Sequence, residues 1–307
     1  MDNNNNHLSA KQVIAQTIAY LTSQIGFELR EANNIALILL EAATKQPIQY
    51  WQLNGSSTIN PNQYTQINEW LQTLKQTGIP VQYLLQKTWF YGLPIQVSPQ
   101  VLIPRPETEE LVRIAIEVWD AQQNGNKHPD IIVDAGTGSG CIALALRQYY
   151  NNLNHDELKI IAFDISLHAL DIAQSNAYAL QLPIETLQID LAKPQTWKSS
   201  NLPAKIDLLL SNPPYIAQHE AKSLHPRVSQ HEPHLALFAP DQNPLFFYEQ
   251  LAKMAAQFLT SQGLIAAELN PVYATETAQI WQNYKLENIK IHLDMSGKQR
   301  IITASKN

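Results

Sequence analysis

From Ile131 onward the chain alternates short apolar runs with helical stretches. The runs IIVD ending at Asp134, KIIAFD ending at Asp164, Ile184–Ile189, KIDLLLSN ending at Asn212 and GLIAAEL ending at Leu269 predict strands. Between them Cys141–Tyr149, Leu167–Tyr178, Phe246–Leu259 and Ala274–Tyr284 carry helical patterns. Two last runs, Ile289–Leu293 and Arg300–Ala304, are close enough to pair antiparallel. A strand that is apolar along its whole length is buried on both faces, so this order predicts a mostly parallel α/β sheet covered by helices. Such sheets bind ligands beyond the carboxyl ends of their strands.

The first 86 residues follow another pattern. Ser9 can cap a helix through Val13, Ile14, Ile18 and Leu21 that Gly26 ends; Glu28–Lys45 and Pro61–Thr77 repeat the helical spacing, and Pro47, Gly78 and Pro80 punctuate it. The spacing therefore predicts a small all-helical domain over 1–86, a hairpin linker over 87–106 around Phe90, Tyr91, Ile95, Val97 and Val101, and an α/β domain over 107–307 whose first helix is Glu107–Trp119. The Asn-rich opening Met1–His7 reads as a tail without the order of a secretory signal. No apolar run reaches the ~18 residues of a membrane span. A single cysteine, Cys141, rules out an intrachain disulfide and a cysteine-based zinc site. Cytoplasmic residence is the expectation, and a monomer the expected state.

The first β-like run passes directly into DAGTGSG, residues 134–140. Gly136, Gly138 and Gly140 alternate, with Thr137 and Ser139 between them. Glycine permits a sharp strand-to-helix turn and lets a ligand approach the main chain. The spacing is neither that of a dinucleotide fingerprint nor that of a phosphate-binding loop. Asp164, at the next strand end, can accept both hydroxyls of a ribose, and Asp190, at the third, can face an adenine edge. The set suits a nucleoside without phosphate, of which S-adenosylmethionine is the common example; an ordinary glycine turn beside a solvated aspartate is the competing view. Cys141 at the helix start reads as a small packing residue.

The fourth strand runs into Asn212-Pro213-Pro214-Tyr215. Two prolines fix two φ angles and remove two donors, and each extends the residue before it. The stiff loop can offer two acceptors, the Asn212 side-chain oxygen and the Pro213 carbonyl, to an incoming NH2 group, while Tyr215 gives a flat face. An amide or aromatic amine nitrogen has a delocalised lone pair and is a poor nucleophile. Two fixed acceptors favour a more tetrahedral nitrogen and stabilise the positive charge that grows as it attacks a methyl group. Holding nitrogen, carbon and sulfur in line supplies the rest. No metal is required.

With these residues in view the chain resembles the peptide chain release factor N5-glutamine methyltransferase family. VLIPRPETEELV, DAGTGSGCIALAL, FDIS at 163–166, SNPPYI at 211–216, HEP at 231–233 and DMSGKQRII at 294–302 match its pattern, and the likeness spans nearly the whole chain. The resemblance implies a class I S-adenosylmethionine-dependent methyltransferase fold, seven strands with helices on both faces, plus a helical substrate-recognition domain. It implies methyl transfer to the glutamine of the GGQ motif of release factors, with S-adenosylhomocysteine as product. Gly136–Gly140, Asp164 and Asp190 map onto cofactor-binding positions, with Asn212 beside them. Asn212–Tyr215 map onto the glutamine-binding motif, and Arg105, Glu107 and Thr108 onto a loop closing over the site. The chain departs from the family at PDQNPL, 240–245, and at Glu268-Leu269-Asn270; Trp197 is left unassigned.

Three other functions share parts of this pattern. A ribosomal-protein glutamine methyltransferase would share the loop, and a DNA or RNA adenine methyltransferase could use it on an exocyclic amine. The latter usually needs a basic groove, whereas here 21 Lys+Arg face 27 Asp+Glu for a net charge of −6, so no nucleic-acid partner is expected. A binding protein without transfer is the third. His219, His225, His231 and His234 crowd one loop but lack metal-ligand spacing, and Trp51, Trp70 and Trp89 read as core or domain-contact residues.

Overall fold

The computed structural model describes residues 8–125, 127–155, 157–240 and 243–307; the expected N-terminal tail lies outside the described residues. The chain falls into two compact units that divide between Gln86 and Lys87.

The first unit is helical: α1 (Ala10–Tyr20), α2 (Leu29–Thr44), α3 (Ile48–Leu53), α4 (Pro61–Thr77) and α5 (Val81–Leu85). Ser9 caps α1 in a capping box with Gln12, and Asn60 does the same for α4 with Gln63 while Pro61 takes the first helical position. Past Tyr20 the helix widens into a π-turn, Leu21–Ile25, before a left-handed Gly26. The apolar faces meet in a core of Leu21, Leu39, Leu40, Ile67 and Leu74. Each such side chain contributes about 1.5–3 kcal/mol on burial. Trp51 sits in that core with its indole N–H donating to Thr44 Oγ1 at 3.0 Å, and Trp70 packs against it half-buried.

The second unit opens with a hairpin, β1 (Lys87–Phe90) and β2 (Leu93–Gln96), turned by left-handed Tyr91 and Gly92. Trp89 is not a core residue: it lies half-exposed on β1 with the Lys87 ammonium 4.5 Å above its ring. Helix α6 (Pro106–Gln122) follows, and then β3 (Ile131–Ala135), α7 (Cys141–Asn152), β4 (Lys159–Asp164), α8 (Leu167–Leu180), β5 (Glu185–Gln188), the short α9 (Pro194–Trp197) and β6 (Ile206–Ser211). Two short helices, α10 (Pro226–His231) and α11 (His234–Leu237), precede α12 (Phe246–Phe258), β7 (Leu259–Glu268), α13 (Ala274–Asn283), β8 (Leu286–Leu293) and β9 (Gln299–Lys306).

The seven-stranded sheet has the order β5-β4-β3-β6-β7-β9-β8. Strands β3 to β7 pair in parallel, and β9 runs antiparallel between β7 and β8. The order reverses beside β3: β4 lies on one side and β6 on the other. That switch point opens a crevice at the carboxyl ends. Trp197, Trp281 and Tyr248 are fully buried under it. The Trp281 indole donates to the Tyr248 carbonyl at 3.1 Å, and the Tyr248 hydroxyl donates to the Glu268 carbonyl at 3.2 Å. The core thereby fixes where β7 ends.

Candidate active site

Two loops leave the sheet at the switch point, and the Ser211 hydroxyl at the end of β6 ties them by donating to the Ala135 carbonyl of β3 at 2.7 Å. The first is the glycine loop. Gly136, Gly138 and Gly140 have φ of +73°, +55° and +82°, which side chains adopt only at a cost of about 1–2 kcal/mol. A Cβ on Gly136 or Gly138 would meet nothing within 4 Å, whereas one on Gly140 would lie 3.0 Å from the Ala173 Cβ. The first two glycines border open space; the third lets α7 pack on α8. The Phe163 carbonyl of β4 accepts from Gly136 N at 2.8 Å and Thr137 N at 2.9 Å.

Acidic side chains ring this loop. Asp164 accepts from Gly138 N at 3.0 Å with one oxygen and from Ser166 N at 2.9 Å with the other, leaving each oxygen a further lone pair. Burial raises its carboxyl above the usual range, and those N–H bonds pull it back. Asp134 is fully buried, and its Oδ2 accepts from Thr137 Oγ1 at 2.5 Å and Ala143 N at 3.3 Å. Burial pushes its carboxyl up to about 7, against the pull of those two bonds. Its Oδ1 and the Ser139 hydroxyl are buried with no hydrogen-bond partner among the described residues. Asp190 lies two residues past β5. Its carboxylate accepts from Ala192 N at 2.9 Å and pairs with the Lys193 ammonium at 2.9 Å. Trp197 is a core residue whose indole donates to the Asp190 carbonyl at 3.3 Å. Burial, and then the nearby Asp134, pushes the Cys141 thiol up to about 12, so it is a packing group and not a thiolate.

The second loop is Asn212–Tyr215. The Asn212 Nδ2 donates to Thr108 Oγ1 at 3.1 Å, Thr108 Oγ1 donates to Glu268 Oε2 at 2.7 Å, and the Tyr215 hydroxyl donates to Glu268 Oε1 at 3.1 Å. Burial raises the Glu268 carboxyl, opposed by the bonds from Thr108 and Tyr215. Arg105 forms an ion pair with Glu232, which also accepts from Ile103 N at 3.3 Å. Arg105, Asn212, Pro213, Tyr215, Leu237 and Glu268 line a cavity of ≈ 220 Å³. A larger, shallow depression of ≈ 440 Å³ lies by Arg147, Lys159 and Glu185, at the amino ends of β4 and β5 and so away from both loops.

The Methyltransferase small domain family matches residues 121–233. A release factor glutamine methyltransferase of Flavobacterium psychrophilum is 33% identical over 90% of this chain and 92% of its own. The chain belongs to the release factor glutamine methyltransferase family. Another member, from Enterococcus faecalis, is 32% identical over 94% of this chain and 98% of its own. Among solved structures, a T. Thermophilus 16S rRNA N2 G1207 methyltransferase superposes with a TM-score of 0.50 at 15% identity, over 72% of this chain and 50% of that one, a likeness of fold. The fold is that of class I S-adenosylmethionine-dependent methyltransferases, with a helical N-terminal part.

Within this member of the family, Arg105, Thr108, Asn212, Pro213 and Tyr215 gather at one end of the crevice, and Gly136–Gly140 with Asp164 at the other. Pro214 and Glu107 are half-buried beside the first group. Asp190 is turned to Lys193. Two of the four histidines of the 219–234 loop bond locally: His225 caps α10 through Arg227 N at 3.2 Å, and His234 bonds the Ser229 carbonyl at 3.0 Å. Three residues escaped the sequence reading. Glu268 and Glu232 are buried carboxylates with specific partners, and an acidic residue closing an apolar strand was the available sign of the first. Asn176, buried on α8, donates to the carbonyls of Ser139 at 2.9 Å and Gln96 at 3.0 Å and accepts from Gln96 N at 2.7 Å. It pins the glycine loop to the hairpin.

Proposed function

We propose that this protein transfers a methyl group from S-adenosylmethionine to the side-chain amide nitrogen of the GGQ glutamine of a peptide chain release factor. The observation that carries the proposal is the Asn212 amide: its Nδ2 is committed to Thr108, which leaves Oδ1 as an acceptor beside a cavity that Pro213 and Tyr215 also line.

The residues at the other end fit the cofactor. Open space beside Gly136 and Gly138, an orphaned Asp134 oxygen and an orphaned Ser139 hydroxyl leave room and bonding capacity for a cationic nucleoside that carries no phosphate. Asp164 takes the ribose hydroxyls on its remaining lone pairs. Asp190 serves this end through the turn it anchors. When bound, S-adenosylmethionine supplies a methyl carbon whose bond to sulfur breaks as the nitrogen bonds to it, the electron pair leaving on sulfur. Asn212 Oδ1 and the Pro213 carbonyl hold the two amide N–H groups and stabilise the charge on nitrogen until one proton passes to solvent water. Tyr215 packs against the amide, Pro214 stiffens the loop, and Arg105 and Glu107 border the entrance. The helical unit, residues 1–86, recognises the folded release factor, because one glutamine side chain offers too little surface to be selected alone.

Transfer of labelled methyl to purified release factors tests the proposal, with a GGQ Gln→Ala factor as control. Label on the native factor and none on the control is expected. Label on ribosomal protein or on adenine in nucleic acid, with none on release factors, overturns it.

A further inference from the structure

We infer that Thr108 is a positioning residue that decides which end of the Asn212 amide faces the cavity, with Glu268 setting the direction of the hydrogen-bond chain. This rests on the proposed role of Asn212 and goes beyond it, since Thr108 acts on the asparagine and not on the substrate.

An asparagine amide has two nearly isosteric ends, and one donates while the other accepts. Binding an NH2 group needs the oxygen end outward. Nothing in the Asn212 backbone selects that orientation, because rotation about the last side-chain bond exchanges the two ends. The selection comes from two residues far off in sequence. A carboxylate only accepts, so the single hydroxyl proton of Thr108 is drawn to Glu268 Oε2 at 2.7 Å. The Thr108 oxygen then has only lone pairs left for its second neighbour, the Asn212 amide 3.1 Å away. That neighbour must donate, so it is Nδ2. A flipped Asn212 would set two acceptors against each other. Thr108 is 2% exposed, so water does not relieve the conflict.

The chain is anchored at its far end. Glu268 closes β7, and its second oxygen accepts from the Tyr215 hydroxyl at 3.1 Å. Its carbonyl is held by the Tyr248 hydroxyl at 3.2 Å, and the same hydroxyl accepts from Asn270 N at 3.0 Å. Thr108 itself lies in the first turn of α6, started by Pro106. Helix α6 and strand β7 thus both bear on the Asn212 amide through the Thr108 hydroxyl.

The experiment compares the full chain with Thr108→Val, which keeps the shape and removes the hydroxyl, and Thr108→Ser, which restores it. Each is measured for turnover of a release factor, for its KM and for cofactor affinity. Losing one neutral hydrogen bond as an orienting force lowers kcat about tenfold in Thr108→Val, with KM and cofactor Kd within about twofold and Thr108→Ser near the wild type. On an Asn212→Ala background, Thr108→Val should cost nothing more, because there is no amide left to orient. Glu268→Gln, whose amide can donate to Thr108 and so turn the chain around, should also lose kcat. A Thr108→Val kcat equal to wild type, the same loss persisting on the Asn212→Ala background, or Thr108→Ser no better than Val overturns the inference. A wild type inactive on every release factor overturns the proposed function instead. The orientation is then read from nitrogen-edited NMR of the Asn212 side chain, where one N–H signal displaced by its bond to Thr108 should shift in Thr108→Val. No change there sinks the inference independently.

Discussion

The glycine-loop end of the crevice is made largely of main chain, and the Asn212 end of side chains. At the first, three glycines, two carbonyl-bound N–H groups and the aspartates at strand ends lie within a few tens of residues of each other. At the second, Thr108, Asn212 and Glu268 come from three distant elements and meet through single hydrogen bonds. Affinity for the cofactor should therefore depend on local backbone geometry and be insensitive to the second loop. Turnover should depend on a few side-chain contacts that leave affinity alone.

The largest effect is expected from removing residues 1–86. Methylation of an intact release factor should fall towards background while a free GGQ peptide loses much less and cofactor affinity stays. A well-folded truncation that methylates the intact factor as efficiently as the full chain would show that the helical unit does not select the substrate. Within the glycine loop, Gly140→Ala adds a clash with Ala173 to the φ strain and should cost about 2–5 kcal/mol of stability. Gly136→Ala carries only the strain, about 1–2 kcal/mol. Equal melting shifts for the two would mean the third glycine has no packing role. Asp164→Ala should weaken cofactor binding by about 1.5–3 kcal/mol, the worth of hydrogen bonds to a charged acceptor, and calorimetry showing unchanged affinity would remove it from the site.

An effect read only in pH dependence concerns Asp134. Its carboxyl is raised in the fold from 3.8 to about 7, so the folded state holds the proton more tightly than the unfolded one. Its stabilising contribution is full below about pH 4 and is lost as pH rises through about 7. Thermal melts of Asp134→Asn without cofactor should lose that part of the pH dependence and gain on wild type towards pH 8. Parallel melting curves across the range would contradict the assignment.

What was legible in the sequence follows the same division. Glycine spacing, strand-end aspartates and the Asn-Pro-Pro-Tyr run are contiguous, and contiguous chemistry is visible without a fold. Strands β3, β4, β6 and β7 were legible because burial on both faces leaves apolar runs, and α1, α2 and α4 because their periodicity agreed with the Gly or Pro that follows each. Helices α3 and α5 are too short to show a period, and the π-turn after Tyr20 leaves no mark in composition. Trp89 reads as a core or domain-contact residue by type alone; the β1 register turns it away from the core, under Lys87. Glu268 shows in the sequence only as an acidic residue closing an apolar strand, because its role depends on Thr108 and Tyr215, 160 and 53 positions away.

The separation of the two ends is tested most directly by Asn212→Ala, with cofactor affinity and turnover of a release factor measured on the same preparation. Loss of one transition-state acceptor should lower kcat by about 10²–10³ while cofactor Kd stays within about twofold. Near-normal turnover, or a fall in cofactor affinity that accounts for the lost rate, would contradict the account.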